Sequence, residues 1–412
     1  MQSISYLRDN SLSNPISSRT LTWIMFGFYL ISAFGNAVLR GQPDGDLTLH
    51  RLLFPIFFLW FFLERPKRAI QWILIFVLLL IYDAIISLAG RFHRFDLVFY
   101  IHTVFWLNHF LMIQWMIERV GIKRMTRFLE WVFWVTLGLA YVQMVTGGTY
   151  PNVQERLEVN IYFWNGNELA AALVAMLALI FFLYKGLLRW LAVGAVIPIL
   201  MNTSTRFAMI GLFMLILFWL FSKIRIGRLR WLPLMFGLSV MIVLLVVFQD
   251  SVILSSRVEH LFVRPFTHIF TLDPLYNVGS VNNRINAIIH GIIELKRSYF
   301  FGIGAGNSIP MMTEIVVPGT EKYTAFSMHN FNMQVIVEWG FVGILLLFFF
   351  ARKVWFAIYK HPSFRLMALV GFYVSLVASF STSSGPWANY AVMTVFFISF
   401  FYFKSLKENY TA

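Results

Sequence analysis

The stretch AIQWILIFVLLLIYDAIISLA, residues 69–89, decides what kind of protein this is. It carries a single charged side chain, Asp83. As a helix rising about 1.5 Å per residue it is about 30 Å long, the thickness of the hydrocarbon core of a bilayer. The same texture runs through the chain: of 412 residues, 59% are apolar and 13% charged, and the mean hydropathy is +0.72. A soluble domain carries about 25% charged residues to cover its surface. A water-soluble enzyme, a nucleic-acid-binding domain and a disordered chain are therefore excluded, leaving an all-α polytopic membrane protein. Lys and Arg number 33 against 19 Asp and Glu, a net charge of +14. In such a chain this excess marks cytoplasmic loops and any site for an anionic ligand, with no nucleic acid among the expected partners. With no cysteine, disulfide frameworks, thiolate metal sites and cysteine nucleophiles are excluded.

On either side of 69–89, runs of similar character fall near 21–39, 50–63, 97–117, 129–147, 168–184, 187–201, 207–222, 231–248, 331–350, 366–383 and 389–404, giving about twelve transmembrane helices. The runs 50–63 and 187–201 are the weakest, the second because Arg189 and Pro198 fall within it. With the N-terminus inside, the cytoplasmic segments hold 21 basic residues and the short outer loops six, a bias that places both termini in the cytoplasm. The first apolar run lacks a cleavage site and reads as a retained helix. No internal repeat relates the two halves, which weighs against a secondary transporter. Three regions follow: a bundle over 1–248, a large outer loop over 249–330, and the last three helices with a cytoplasmic tail over 331–412.

The outer loop is too long for a plain connection. From Asn283 onward Ile285, Ile288, Ile289, Ile292 and Leu295 recur at helical spacing, an amphipathic helix for the membrane surface or for covering a cavity, capped by Asn282 or Asn283. Arg284 in its first turn opposes the helix dipole unless an anion is bound, and amides plus a guanidinium make a phosphate site; otherwise it is a surface arginine. Arg206 closes the polar run Asn202-Thr203-Ser204-Thr205-Arg206 between two spans. It either lines a cavity or snorkels to the headgroups. His329 and Asn330 lead into the tenth span, and Asn330, Gln334 and Glu338, four residues apart, share a face turned to protein or water. His329 is either a general base near neutral pH or a structural histidine. Asp83, His102, Asn108 and His109 read as packing or headgroup contacts, and Asn165 to Glu168 as a turn and cap before the sixth span. The run Gly302-Ile303-Gly304-Ala305-Gly306 follows no strand and reads as a tight turn rather than a dinucleotide site.

Taken together, Ser204-Thr205-Arg206 at the head of a span, Arg284 opening a helix that ends in the glycine-rich turn, and His329-Asn330 followed by Gln334, Glu338, Gly340 and Gly343 resemble the O-antigen ligase and O-antigen polymerase superfamily. The likeness covers about Asn202 to Phe350; Asn165-Gly166-Asn167-Glu168 departs from the Asn-Pro-Asn of many relatives but holds the matching place. The resemblance implies a glycosyltransferase of the GT-C type in the bacterial inner membrane, with its site on the periplasmic face. Its donor would be an undecaprenyl-diphosphate-linked glycan and its acceptor lipid A-core, for a ligase, or another lipid-linked repeat unit, for a polymerase. It implies that Arg206 and Arg284 hold the diphosphate and His329 activates the acceptor hydroxyl, with Asn330, Gln334, Glu338, Asn165 and Asn167 toward substrate, and no metal, nucleotide sugar or other cofactor. The alternatives are a transporter or flippase of a lipid-linked or anionic sugar, and an assembly subunit whose long loop binds a partner.

Overall fold

The computed structural model describes residues 19–34, 49–90, 97–147, 166–203, 205–223, 264–273, 280–313, 328, 330–360 and 390–410, and all regular structure among them is helical. Eight helices come first: α1 (Arg19–Phe34), α2 (Leu49–Glu64), α3 (Pro66–Ala89), α4 (Leu97–Val120), α5 (Ile122–Thr146), α6 (Gly166–Leu183), α7 (Gly186–Asn202) and α8 (Arg206–Lys223). The loop region contributes α9 (Arg264–Thr271), α10 (Ser280–Arg297) and α11 (Ser308–Thr313), and α12 (Phe331–Lys360) and α13 (Tyr390–Tyr410) follow. Ten of the expected runs coincide with these helices, including the weak pair at α2 and α7, while 231–248 and 366–383 lie outside the described residues. Four are long and apolar enough to cross a membrane: α3, α5, α6 and residues Asn332–Phe349 of α12. Helix α5 begins at Ile122, earlier than the apolar run, because Lys123, Arg124 and Arg127 are good helix formers that extend it past the hydrophobic stretch.

Helix α6 is the axis of the bundle, buried over nearly its whole length and touched by α5, α7, α8 and α13. Lipid tails are as apolar as side chains, so helices associate in a bilayer through close contact rather than hydrophobic expulsion, and small residues permit it. Ala170, Ala171, Ala172, Ala175 and Ala178 provide that surface. Toward α1, α2 and α4 the core is aromatic: Trp60 and Trp115 meet edge to face at 4.3 Å, and Phe26 meets Trp115 at 5.1 Å. His109 is fully buried between the Tyr29 hydroxyl, at 2.5 Å, and Thr394 Oγ1, at 2.8 Å, and so ties α4 to α1 and α13. This is the packing role expected of it; the side chain of His102 lies outside the described residues.

Helix α3 has the opposite character, with Leu74, Leu78, Ile81, Ile85 and Leu88 exposed along its length, as a lipid-facing helix requires. At its start Arg68, with Arg65 just before it, reaches Glu118 of α4, and beside it Arg119 of α4 pairs with Glu64 of α2 at 3.0 Å. Its other end meets the loop region, where the candidate site begins.

Candidate functional site

The start of α12 is set by Asn330, whose side-chain oxygen accepts the Met333 backbone N–H at 3.2 Å, capping the helix. The stripe expected on this helix faces protein: Asn330 and Glu338 are buried and Gln334 half-buried. Gln334 donates to Glu338 Oε1 at 3.0 Å, and Ser308, first residue of α11, donates to the same oxygen at 2.5 Å. The Gly306 backbone N–H also donates to the Glu338 carboxylate. One buried side chain thus gathers three donors and joins α12 to the glycine-rich turn and to α11.

That turn docks by its backbone. Ile303 N–H donates to the Val337 carbonyl at 3.0 Å, Gly304 N–H to the Glu338 carbonyl at 2.9 Å, and Phe341 N–H to the Phe300 carbonyl at 2.7 Å. This pairing opens α12 at Gly340, where φ is +55° and ψ −131°, a conformation only glycine adopts easily. A Cβ at Gly340 would stand 2.2 Å from the Phe300 carbonyl oxygen and 2.3 Å from the Phe301 carbonyl carbon. The kink is therefore the physical condition for seating the turn. Asp83 completes it from α3: its Oδ1 accepts the Ala305 N–H at 2.6 Å, while Tyr82 shares its hydroxyl hydrogen between the carbonyls of Phe301, at 3.0 Å, and Trp339, at 3.2 Å. The intramembrane acid read from the sequence as a packing or headgroup residue is thus the acceptor that ties the third span to the loop region.

Helix α10 packs along α12. A Cβ at Gly291 would come within 2.7 Å of Val337 Cγ2 and 3.0 Å of Met328 Cε, so the helices touch closely there. Further down the turn pairs with residues 337–341, so α10 and α12 run in the same direction. Arg284 lies seven residues back from Gly291 along α10, about 10 Å at helical rise. The sequence expectation of an amphipathic helix holds, but its buried face includes Asn286, Ala287, Gly291 and Glu294 beside Ile285, Ile289 and Leu295, because the partner is α12 and the turn rather than a membrane surface. The helix begins at Ser280, so Asn282 and Asn283 lie within its first turn instead of capping it, and Arg284 comes just after that turn. Burial, with Arg297 acting in the same sense against an opposing Glu294, holds the His290 imidazole below its ordinary range.

A second polar junction forms where α6 begins beside α8. Thr205 Oγ1 donates to Asn167 Oδ1 at 2.8 Å, and Arg206 is the first residue of α8. Arg206 and Arg284 therefore both open or stand near the opening of a helix, though their side chains lie outside the described residues, as do His329 and Asn165 altogether. The described site residues make two groups: Asn167 with Thr205, and Asn330, Gln334 and Glu338 with Ser308 and the turn. Sequence reasoning named Asp83 without its partner, and missed Ser308. The signal for Asp83 was present, a lone charge in an otherwise uncharged span.

Residues 191–348 match the family model described as O-antigen ligase, a segment running from α7 to α12 and containing Arg206, Arg284, the glycine turn and residues 329–338. No curated protein and no solved structure matches the chain. The match implies a glycosyltransferase-type enzyme, and the apolar helices an integral membrane protein. Residues 191–348 are thus similar to the O-antigen ligase family, a match that supports the resemblance to the O-antigen ligase and polymerase superfamily.

Proposed function

We propose that this is a bacterial inner-membrane transferase of about twelve spans. It moves a glycan from undecaprenyl diphosphate, on the periplasmic face, to lipid A-core or to a second lipid-linked repeat unit. The observation that supports the reading is the O-antigen ligase match over 191–348, the segment that holds Arg206, Arg284 and His329 and in which α10 packs on α12 at Gly291. In the reaction the acceptor hydroxyl loses its proton to His329 while its oxygen bonds to the anomeric carbon of the donor. The bond from that carbon to the diphosphate oxygen breaks, and the diphosphate leaves with the electron pair. Arg206 and Arg284 take up the charge that develops on it, paired donors suited to phosphate oxygens. Asn330, Gln334 and Glu338 hold the start of α12 and the turn in place, and Asn167 meets Thr205 at the start of α8.

The test is transfer by purified protein with lipid-linked donor and acceptor. His329→Ala is expected to lower turnover by roughly 10²–10⁴ with donor binding nearly intact, since a base acts mainly in the transition state. Arg284→Ala and Arg206→Ala are expected to weaken both. A His329→Ala protein transferring at the unaltered rate would remove the base assignment; donor binding indifferent to both arginines would remove the diphosphate site. Lipid A-core and lipid-linked repeat, offered separately, distinguish ligase from polymerase.

A further inference from the structure

Helices α3 and α5 are both long and apolar enough to cross a membrane, and both begin at the same end of the bundle. Arg119, near the end of α4, pairs with Glu64 at the end of α2, Arg65 and Arg68 at the start of α3 reach Glu118 of α4, and only Gly121 separates α4 from α5. Residues 64–68 and 118–127, which make up these four helix ends, carry seven basic side chains and two acidic ones. Both acids are taken up by Arg119, Arg65 and Arg68. Lys67, Lys123 and Arg127 are exposed and have no acidic partner among the described residues, and Arg124, also exposed, lies over the Trp23 ring at 6.0 Å.

Helix α5 sorts its residues by face. Met125, Leu129, Phe133, Leu137 and Ala140 are buried against the bundle. On the other side Lys123, Arg127, Trp131, Val135, Leu139 and Val142 follow at spacings of four and three residues, so they share one face, and all are exposed. Polarity along this face is ordered: two basic residues come first, Trp131, 72% exposed, stands about 6 Å beyond Arg127 at helical rise, and aliphatic side chains follow. From Phe128 to Thr146 the one charged residue is Glu130, and it accepts the hydrogen of the Tyr184 hydroxyl, within the protein. Arg127 therefore stands at the edge of the apolar stretch, at the level of headgroups, with Trp131 at the interface below it and the aliphatic face along the acyl chains. The start of α3 repeats the order, with exposed Lys67 followed by Ile70, Leu74 and Leu78. A cation in the first turns of a helix is locally unfavourable, and the first turn of α5 holds no acidic residue. An anion between Lys123 and Arg127 reverses the sign, and the surface beneath them fits an anion that carries an apolar chain.

We propose that the exposed face of α5 is a binding site for an anionic phospholipid: Lys123 and Arg127 take its phosphate, and an acyl chain lies along Trp131, Val135 and Val142. The site does not depend on the transferase reading. The absence of native cysteine makes the test direct. Val135→Cys, labelled with bimane, is reconstituted in phosphatidylcholine vesicles holding a small fraction of brominated phosphatidylglycerol or of brominated phosphatidylcholine. The brominated phosphatidylglycerol is expected to quench the label severalfold more per mole than the brominated phosphatidylcholine. In a Lys123→Gln, Arg127→Gln background the two are expected to quench alike, whereas Lys185→Gln, an exposed charge on another helix, keeps the preference. Equal quenching with Lys123 and Arg127 in place, or a preference that survives their replacement, would overturn the proposal. Inorganic phosphate added at constant ionic strength is expected to leave the preference as it is; its loss would assign the site to a free anion and overturn the lipid assignment. Quenching by brominated phosphatidylcholine needs only that position 135 face lipid, so its constancy across the variants reports an intact fold.

Discussion

Gly340→Ala tests the joint between α12 and the turn. At φ +55° an added methyl is strained by about 1 kcal/mol, and its nearest neighbours are backbone atoms of residues 300 to 302 at 2.2 to 2.5 Å, which no rotamer change moves aside. To admit the methyl the turn must lift. That breaks the three backbone bonds linking Phe300, Ile303 and Gly304 to residues 337–341, each worth about 0.5–1.5 kcal/mol. The expected loss is therefore about 2.5–5.5 kcal/mol, or two to four orders of magnitude in the folding equilibrium. Gly138→Ala in α5 is the control, since nothing lies within 4 Å of its Cβ position and a helical alanine gains up to about 1 kcal/mol over glycine. Both are compared in detergent by reversible denaturation followed through helical circular dichroism. A Gly340→Ala protein as stable as the Gly138→Ala control would mean that the turn is not seated on α12, and the site as described would fall with it.

Three further outcomes follow from the same geometry. Glu338→Leu strips three donors of their acceptor and is expected to cost about 2–4 kcal/mol, whereas Glu338→Gln keeps an acceptor and costs less than about 1.5, read by the same denaturation. Because His290 is held below its ordinary pKa of 6.5, the unfolded chain takes up its proton first, so stability is full above that range and falls as the pH drops below it; His290→Gln should flatten that slope in melts between pH 5 and 8. Single cysteines within 249–330 should react with an impermeant reagent from the periplasm, and those placed at 223–230 only from the cytoplasm; the reverse pattern would invert the topology.

What could be read from the sequence was what depends on local pattern. The apolar runs announced α3, α5, α6 and α12, the polar pentapeptide ended at the residue that opens α8, and the spacing of Asn330, Gln334 and Glu338 foretold a face turned away from lipid. What could not be read depends on partners distant along the chain. Asp83 finds its donor 222 residues away at Ala305, and nothing near it in sequence names that amide. Gly340 looks like any glycine in an apolar helix; only the approach of Phe300 and Gly302 shows why no side chain fits there. The amphipathic face of α10 was visible, but whether it would meet membrane or protein was settled by Gly291, whose missing side chain admits Val337.

The proposal that Arg284 and His329 share one site can be measured directly, because the chain has no cysteine. Arg284→Cys and His329→Cys, introduced together and treated with a short bis-maleimide in membranes, should be linked within one molecule, seen as a single product spanning both peptides after proteolysis. If both cysteines are labelled separately and no linked peptide forms, the two residues do not share a cleft and the proposed diphosphate site does not exist.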